Sequence, residues 1–133
     1  MLTPKKYFLL FLLLAVCFGC SDSDDSINQK NISGNWIWVK STGGIDGRTE
    51  TPETTGKVIR LEISKQSVRR FVNGELADEF PYVIKKQQSI LFNQPMEMIF
   101  YENGSAQIIE GNQDELLLTE DCFDCFQHDF IRQ

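Results

Sequence analysis

Gly34-Asn35-Trp36-Ile37-Trp38-Val39 alternates aromatic and aliphatic side chains directly after a polar segment. A β-strand sends successive side chains to opposite faces, so Trp36 and Trp38 share one face and Ile37 and Val39 the other. Such a strand buries one face and half-buries the second. The same period continues downstream. In residues 57–64, Ile59, Leu61 and Ile63 alternate with Val58, Arg60 and Glu62. Residues 67–72 form a further strand, and Asn73-Gly74 is a strong hairpin signal. Residues 75–84 place Phe80, Tyr82 and Ile84 on one face, with Pro81 marking an edge or a bulge. Ser89–Phe92, Met96–Tyr101 and Ser105–Glu110 read as three more elements of hairpins, followed by Glu115–Thr119 and Cys125–Arg132.

This pattern gives eight or nine strands and no helix after Cys20. Turn signals at short, even spacing predict an all-β, antiparallel, up-and-down barrel of about eight strands over residues 34–133. Closure of the barrel removes exposed strand edges. Residues 41–56 carry Gly43, Gly44, Gly47, Pro52 and Gly56 among many threonines, and are expected to form a long loop.

Upstream, Lys5 and Lys6 precede an uncharged apolar run from Tyr7 to Phe18. That run is shorter than the ~20 residues of a membrane-spanning helix and fits the apolar segment of a signal peptide. Cys17-Phe18-Gly19-Cys20 resembles a bacterial lipobox. The resemblance implies a signal peptide over residues 1–19, lipidation at Cys20 with diacylglycerol and an amine-linked acyl chain such as palmitate, and anchoring to a membrane. Two or three acyl chains give stable anchoring at ~0.8 kcal/mol per buried methylene. Residues 20–33 are expected to be a flexible acidic tether. Its Ser21-Asp22-Ser23-Asp24-Asp25 run reads as a solvated spacer. It also resembles the export signal of surface lipoproteins of the Bacteroidota, which implies an outer-membrane location, facing the periplasm or the cell surface. Asp25-Ser26-Ile27 resembles the short O-glycosylation tripeptide of the same group.

The charge balance bounds the partners. Loss of Lys5 and Lys6 from the 13 basic residues leaves 11 against 19 acidic residues, a net of −8. Nucleic acid and anionic membrane faces both call for a basic patch, so neither is an expected partner.

Gly34-Asn35-Trp36 opening the first strand, with Arg132 ending the last, resembles the lipocalins. In that family the Trp plugs one barrel end and the Arg packs across its ring, a cation over an aromatic face. Together with Gly43-Gly44, Thr51-Pro52, Asn73-Gly74, Leu116/Leu118 and the terminal Phe-Ile-Arg, the chain is similar to small lipocalin-like lipoproteins of the Bacteroidota. The resemblance implies a small apolar ligand in the barrel, with Trp36, Phe80, Tyr82, Phe92, Met98 and Phe100 as candidate pocket residues. The simpler reading is that these residues fill the core, as side chains do in small barrels. A second function class is a protein–protein module or inhibitor at the cell envelope, acting through the 41–56 loop without a cavity.

After Cys20 only Cys122 and Cys125 remain, and His128 is the single histidine. Four readings are open: a local disulfide, two free thiols, a metal site with His128 and either Asp121 or Asp124, and a redox pair. Export favours the disulfide, and no metal or cofactor is assigned. Nucleophile and phosphate-loop motifs are absent from the sequence, and carboxylate pairs such as Asp78/Glu79 sit beside turns. The chain is therefore expected not to be an enzyme.

Overall fold

A computed structural model describes residues 31–133. The expected signal peptide over residues 1–19, Cys20 and the acidic run after it lie outside the described residues. The chain forms β1 (Gly34–Gly43), β2 (Arg48–Glu50), a single helical turn α1 (Pro52–Thr55), β3 (Ile59–Ile63), β4 (Ser67–Val72), β5 (Glu75–Gln88), β6 (Pro95–Tyr101), β7 (Ala106–Gly111), β8 (Glu115–Glu120) and β9 (Phe126–Arg132). Every neighbouring pair is antiparallel, and β9 returns to pair with β1 along its length. The result is a closed eight-stranded, lipocalin-like barrel of β1 and β3–β9, with β2 added at the end of β1.

The barrel is held by alternation, as the sequence pattern predicts. Trp36 pairs with Leu61 on one side and Arg132 on the other, and Trp38 pairs with Phe130. Trp36, Trp38, Leu61 and Phe130 join Ile63, Val68, Ile99, Ile109, Leu116 and Leu118 in one core. The packed domain also reaches back to Ile32, which is buried in that core. Ile32, placed in the expected tether over residues 20–33, thus packs with the barrel.

Three departures from the sequence reading have physical causes. Residues 41–56 are not one loop: β1 runs to Gly43, β2 pairs back on it, and a helical turn follows. Thr51 caps that turn through a reciprocal pair with Thr54, Pro52 starts it and Gly56 ends it in the left-handed region. These are ordinary capping signals in a very short element. Ser89–Phe92 is not a strand. It lies in a turn closed by Ser89 N–H to Gln94 O and Asn93 N–H to Ser89 O. Instead β5 runs on through Lys85-Lys86-Gln87-Gln88, a polar segment that pairs with β6.

Pro81 marks a change of partner within β5. Residues up to Pro81 pair with β4, and those from Tyr82 pair with β6. A residue without an N–H is tolerated where one ladder stops and another starts.

Candidate functional site

The two ends of the barrel are built differently. At the Trp36 end, the Arg132 guanidinium lies 4.1 Å from the indole ring centroid. Arg132 also donates to Ser33 O (3.0 Å) and to Gln113 O. Trp36 Nε1–H donates to Ile32 O at 2.8 Å. Gly34 has φ +138°, and a Cβ there would sit 2.3 Å from Arg132 Nη1. Gly34, Trp36 and Arg132 thus form one interlocked plug. Tyr82 lies beside it, with its hydroxyl donating to Ser64 O.

The opposite end holds a cavity of about 670 Å³. Its apolar wall includes Trp38, Leu61, Phe80, Met98, Leu118 and Phe130, and its polar groups include Arg70, Asp78, Tyr101, Gln107, Glu120 and His128. Of the candidate pocket residues, the structure brings Phe80 and Met98 to this cavity. Trp36 and Tyr82 belong to the closed end and do not line it. Phe92 lies in the 89–94 turn and is 44 % exposed. Phe100 is paired with the exposed Val83, and Lys85 Nζ lies 4.4 Å from its ring centroid, so it also does not line the cavity. The assignment of Trp36, Tyr82, Phe92 and Phe100 to a pocket is therefore corrected.

A polar cluster lies along one side of the cavity. Its origin is a bulge in β1 between Trp38 and Lys40. Trp38 pairs with Phe130 and Ser41 with His128, so four residues on β1 oppose three on β9. The extra residue turns both Trp38 and Ser41 inward. Trp38 Nε1–H then donates to Ser41 Oγ at 2.9 Å, and Ser41 Oγ lies 2.6 Å from His128 Nδ1. His128 Nε2 faces Glu120 Oε1 at 3.8 Å, and Glu120 Oε2 accepts from Phe126 N–H at 3.3 Å. Burial drives the His128 pKa below its ordinary 6.5, against the upward pull of Glu120, Asp129 and Glu50.

Beyond Glu120, Cys122 and Cys125 are joined by a disulfide that closes the β8–β9 loop. Gly43 lets β1 approach this loop: its φ is +153°, and a Cβ there would lie 2.1 Å from Cys125 O. Asp121 does not turn towards the cysteines. It accepts from Ser89 Oγ (2.7 Å), Ile90 N–H (3.0 Å) and Leu91 N–H (3.1 Å). Burial raises its pKa, but the Ile90 amide, the Ser89 hydroxyl and the Leu91 amide outweigh that and hold it below 3.8. Asp121 thereby fastens the 89–94 turn to the end of β8. Asp121 is thus committed to that turn and does not face the cysteines as a ligand, and Glu120 is the carboxylate that lies with the two sulfurs.

Ser41, Glu120 and His128 superficially suggest a proton relay. Ser41 is only 4 % exposed and does not line the cavity. Its geometry orients the imidazole instead. Sequence reading did not single out Ser41 or Glu120, because nothing local signals a bulge that brings positions 41, 120 and 128 together. Comparisons with protein-family models, with curated proteins and with solved structures found no match to this chain.

Proposed function

We propose that this protein is a non-enzymatic, lipid-anchored binding module that holds a small, largely apolar ligand in the open end of its barrel. The observation that carries this reading is the cavity of about 670 Å³ with an apolar wall of Trp38, Leu61, Phe80, Leu118 and Phe130. Ligand pockets start at ~300 Å³, and a few convergent polar groups in an apolar wall suit an amphipathic guest. Glu120, His128, Tyr101 and Gln107 would take its polar end. The lipobox at Cys17–Cys20 and the acidic run after it support the wider proposal: a lipocalin-like lipoprotein of the Bacteroidota type, anchored at the outer membrane through Cys20.

Native mass spectrometry of protein purified from its own host tests the ligand. A retained small molecule, absent from the cavity-filling variant Leu118→Trp, supports the reading. If wild type and Leu118→Trp carry nothing and take up an apolar fluorescent probe equally, the cavity is not a binding site.

One observation favours the second reading, an interaction module at the cell envelope. Ile45 is 93 % and Phe123 71 % exposed, in the β1–β2 turn and the disulfide loop. The Gly43–Phe126 pairing sets these two loops side by side at the same end of the barrel. A protein partner would be captured there, and Ile45→Ser with Phe123→Ser would abolish its capture while leaving the small ligand bound.

A further inference from the structure

The corner that the disulfide closes has a donor set that the barrel itself does not need. Glu120 carboxylate oxygen, Cys122 Sγ and Cys125 Sγ all lie within 4.8 Å of one another. His128 Nε2 is 3.8 Å from Glu120 Oε1. We infer that reduction of the Cys122–Cys125 disulfide converts this corner into a binding site for one divalent ion of the zinc class, held by Cys122, Cys125, Glu120 and His128.

The chemistry of the donors carries this, and three of the four already lie together; the His128 ring, next to Glu120, must close on the sulfurs as the ion binds. Cys-x-x-Cys is the ligand spacing of closed tetrahedral zinc sites, and two thiolates, one imidazole and one carboxylate are ordinary zinc donors. Tetrahedral bonds of ~2.0–2.3 Å put neighbouring donor atoms roughly 3.3–3.8 Å apart. The His128–Glu120 separation of 3.8 Å already fits. The two sulfurs must part on reduction, and the Cα–Cα distance of 5.5 Å leaves them room to do so by side-chain rotation. Thiolates select zinc-class ions over magnesium or calcium.

The second layer is also in place. Metal-bound histidines donate the other ring N–H to a fixed acceptor. Here Ser41 Oγ sits 2.6 Å from His128 Nδ1 and is itself fixed by Trp38 Nε1–H. A hydroxyl oxygen has two lone pairs, so it accepts from both the indole and the imidazole. That arrangement leaves the Nε2 lone pair aimed at the Glu120 side, where the ion would lie.

The reaction balances with an external dithiol. The dithiol reduces the disulfide by thiol–disulfide exchange, becoming a disulfide itself, and Cys122 and Cys125 become thiols. Each thiol then gives its proton to solvent as it binds the ion. Because Glu120, Cys122 and His128 line the cavity, the loaded ion would occupy the polar side of the same space.

The test is a Co²⁺ titration of the mature chain, oxidised and after reduction with a phosphine, read by thiolate-to-metal charge-transfer absorption and reversed by Zn²⁺. The reduced protein is expected to bind one equivalent at least ~100-fold more tightly than the oxidised protein. Glu120→Gln and His128→Gln are each expected to weaken that binding ~10–100-fold, and Ser41→Ala to weaken it ~10-fold through the imidazole. Melting of each oxidised variant checks that it is folded. Equal affinity of reduced and oxidised protein, reduced protein without thiolate bands, or folded Glu120→Gln and His128→Gln variants that bind like wild type would each overturn the inference.

Discussion

Replacing Asp121 by alanine removes three hydrogen bonds at once. Its carboxylate accepts from Ser89 Oγ, Ile90 N–H and Leu91 N–H. Hydrogen bonds to a charged acceptor contribute ~1.5–3 kcal/mol each, but bonds to one group are not additive. Water replaces part of the loss at a half-buried site. The expected cost of Asp121→Ala is therefore ~2–3 kcal/mol, on the order of 10–20 °C in Tm for a domain of about 100 residues. Asp121→Asn keeps one acceptor oxygen and should cost about half as much. The sign of the pH effect follows from the depressed pKa of Asp121. The unfolded chain takes up the proton first, so the stability present above pH 3.8 is lost as pH falls through the lower folded value. Asp121→Asn should remove that part of the acid limb. Urea unfolding with the disulfide intact gives the energies, and hydrogen exchange at Ile90 and Leu91 localises them. A loss under ~0.5 kcal/mol, with Ile90 and Leu91 exchanging as in wild type, would show that the turn is held by something else.

Trp36→Ala should cost ~3–5 kcal/mol by urea unfolding, the range for buried aromatics, because it also strips Arg132 of its ring and Ile32 of a donor; near-unchanged stability would make the plug incidental. Gly34→Ala should destabilise the same end, since its Cβ meets Arg132 Nη1 and its φ is positive, with a lower melting temperature as the readout. His128, with its folded pKa depressed by burial, contributes stability that is intact above pH 6.5 and lost as pH falls through its folded value. An NMR titration midpoint at or above 6.5 contradicts this. Cys20→Ser should release the protein from the membrane fraction, and retention there would remove the lipid anchor from the proposal.

The barrel was legible in the sequence because alternation and hairpin turns repeat in almost every strand. The alternating triplets Ile59/Leu61/Ile63 and Phe80/Tyr82/Ile84 set the faces of β3 and β5 without ambiguity. What escaped has specific causes. The second half of β5, Lys85-Lys86-Gln87-Gln88, is a strand because it has a partner, not because of its own side chains. The turn at 89–94 takes its shape from Asp121, a residue far away in the chain. Phe92 and Phe100 looked like pocket residues because aromatics in a barrel usually point inward. Their actual sides depend on that turn and on the register of β6. The site was less legible than the fold, since one bulge at Trp38/Lys40 decides that Ser41 meets His128.

The segment from Glu120 to Phe126 concentrates several tasks in seven residues. Glu120 receives the Phe126 amide and faces His128, Asp121 fastens a distant turn, and Cys122 and Cys125 pin the loop between them. Three of these residues, Glu120, Asp121 and Cys122, also line the cavity. A change in the redox state of the cysteines therefore cannot stay local: it releases the loop that carries both the cavity wall and the Asp121 clamp. The Trp36 end has no such dependence, because Arg132, Gly34 and Ile32 hold it through ring, backbone and carbonyl contacts alone. The barrel thus has one end that packing keeps shut and another whose shape is tied to cysteine chemistry. Sensitivity to reductant should accordingly appear at the cavity end, in the protection of Ile90 and Leu91, before it reaches the indole of Trp36.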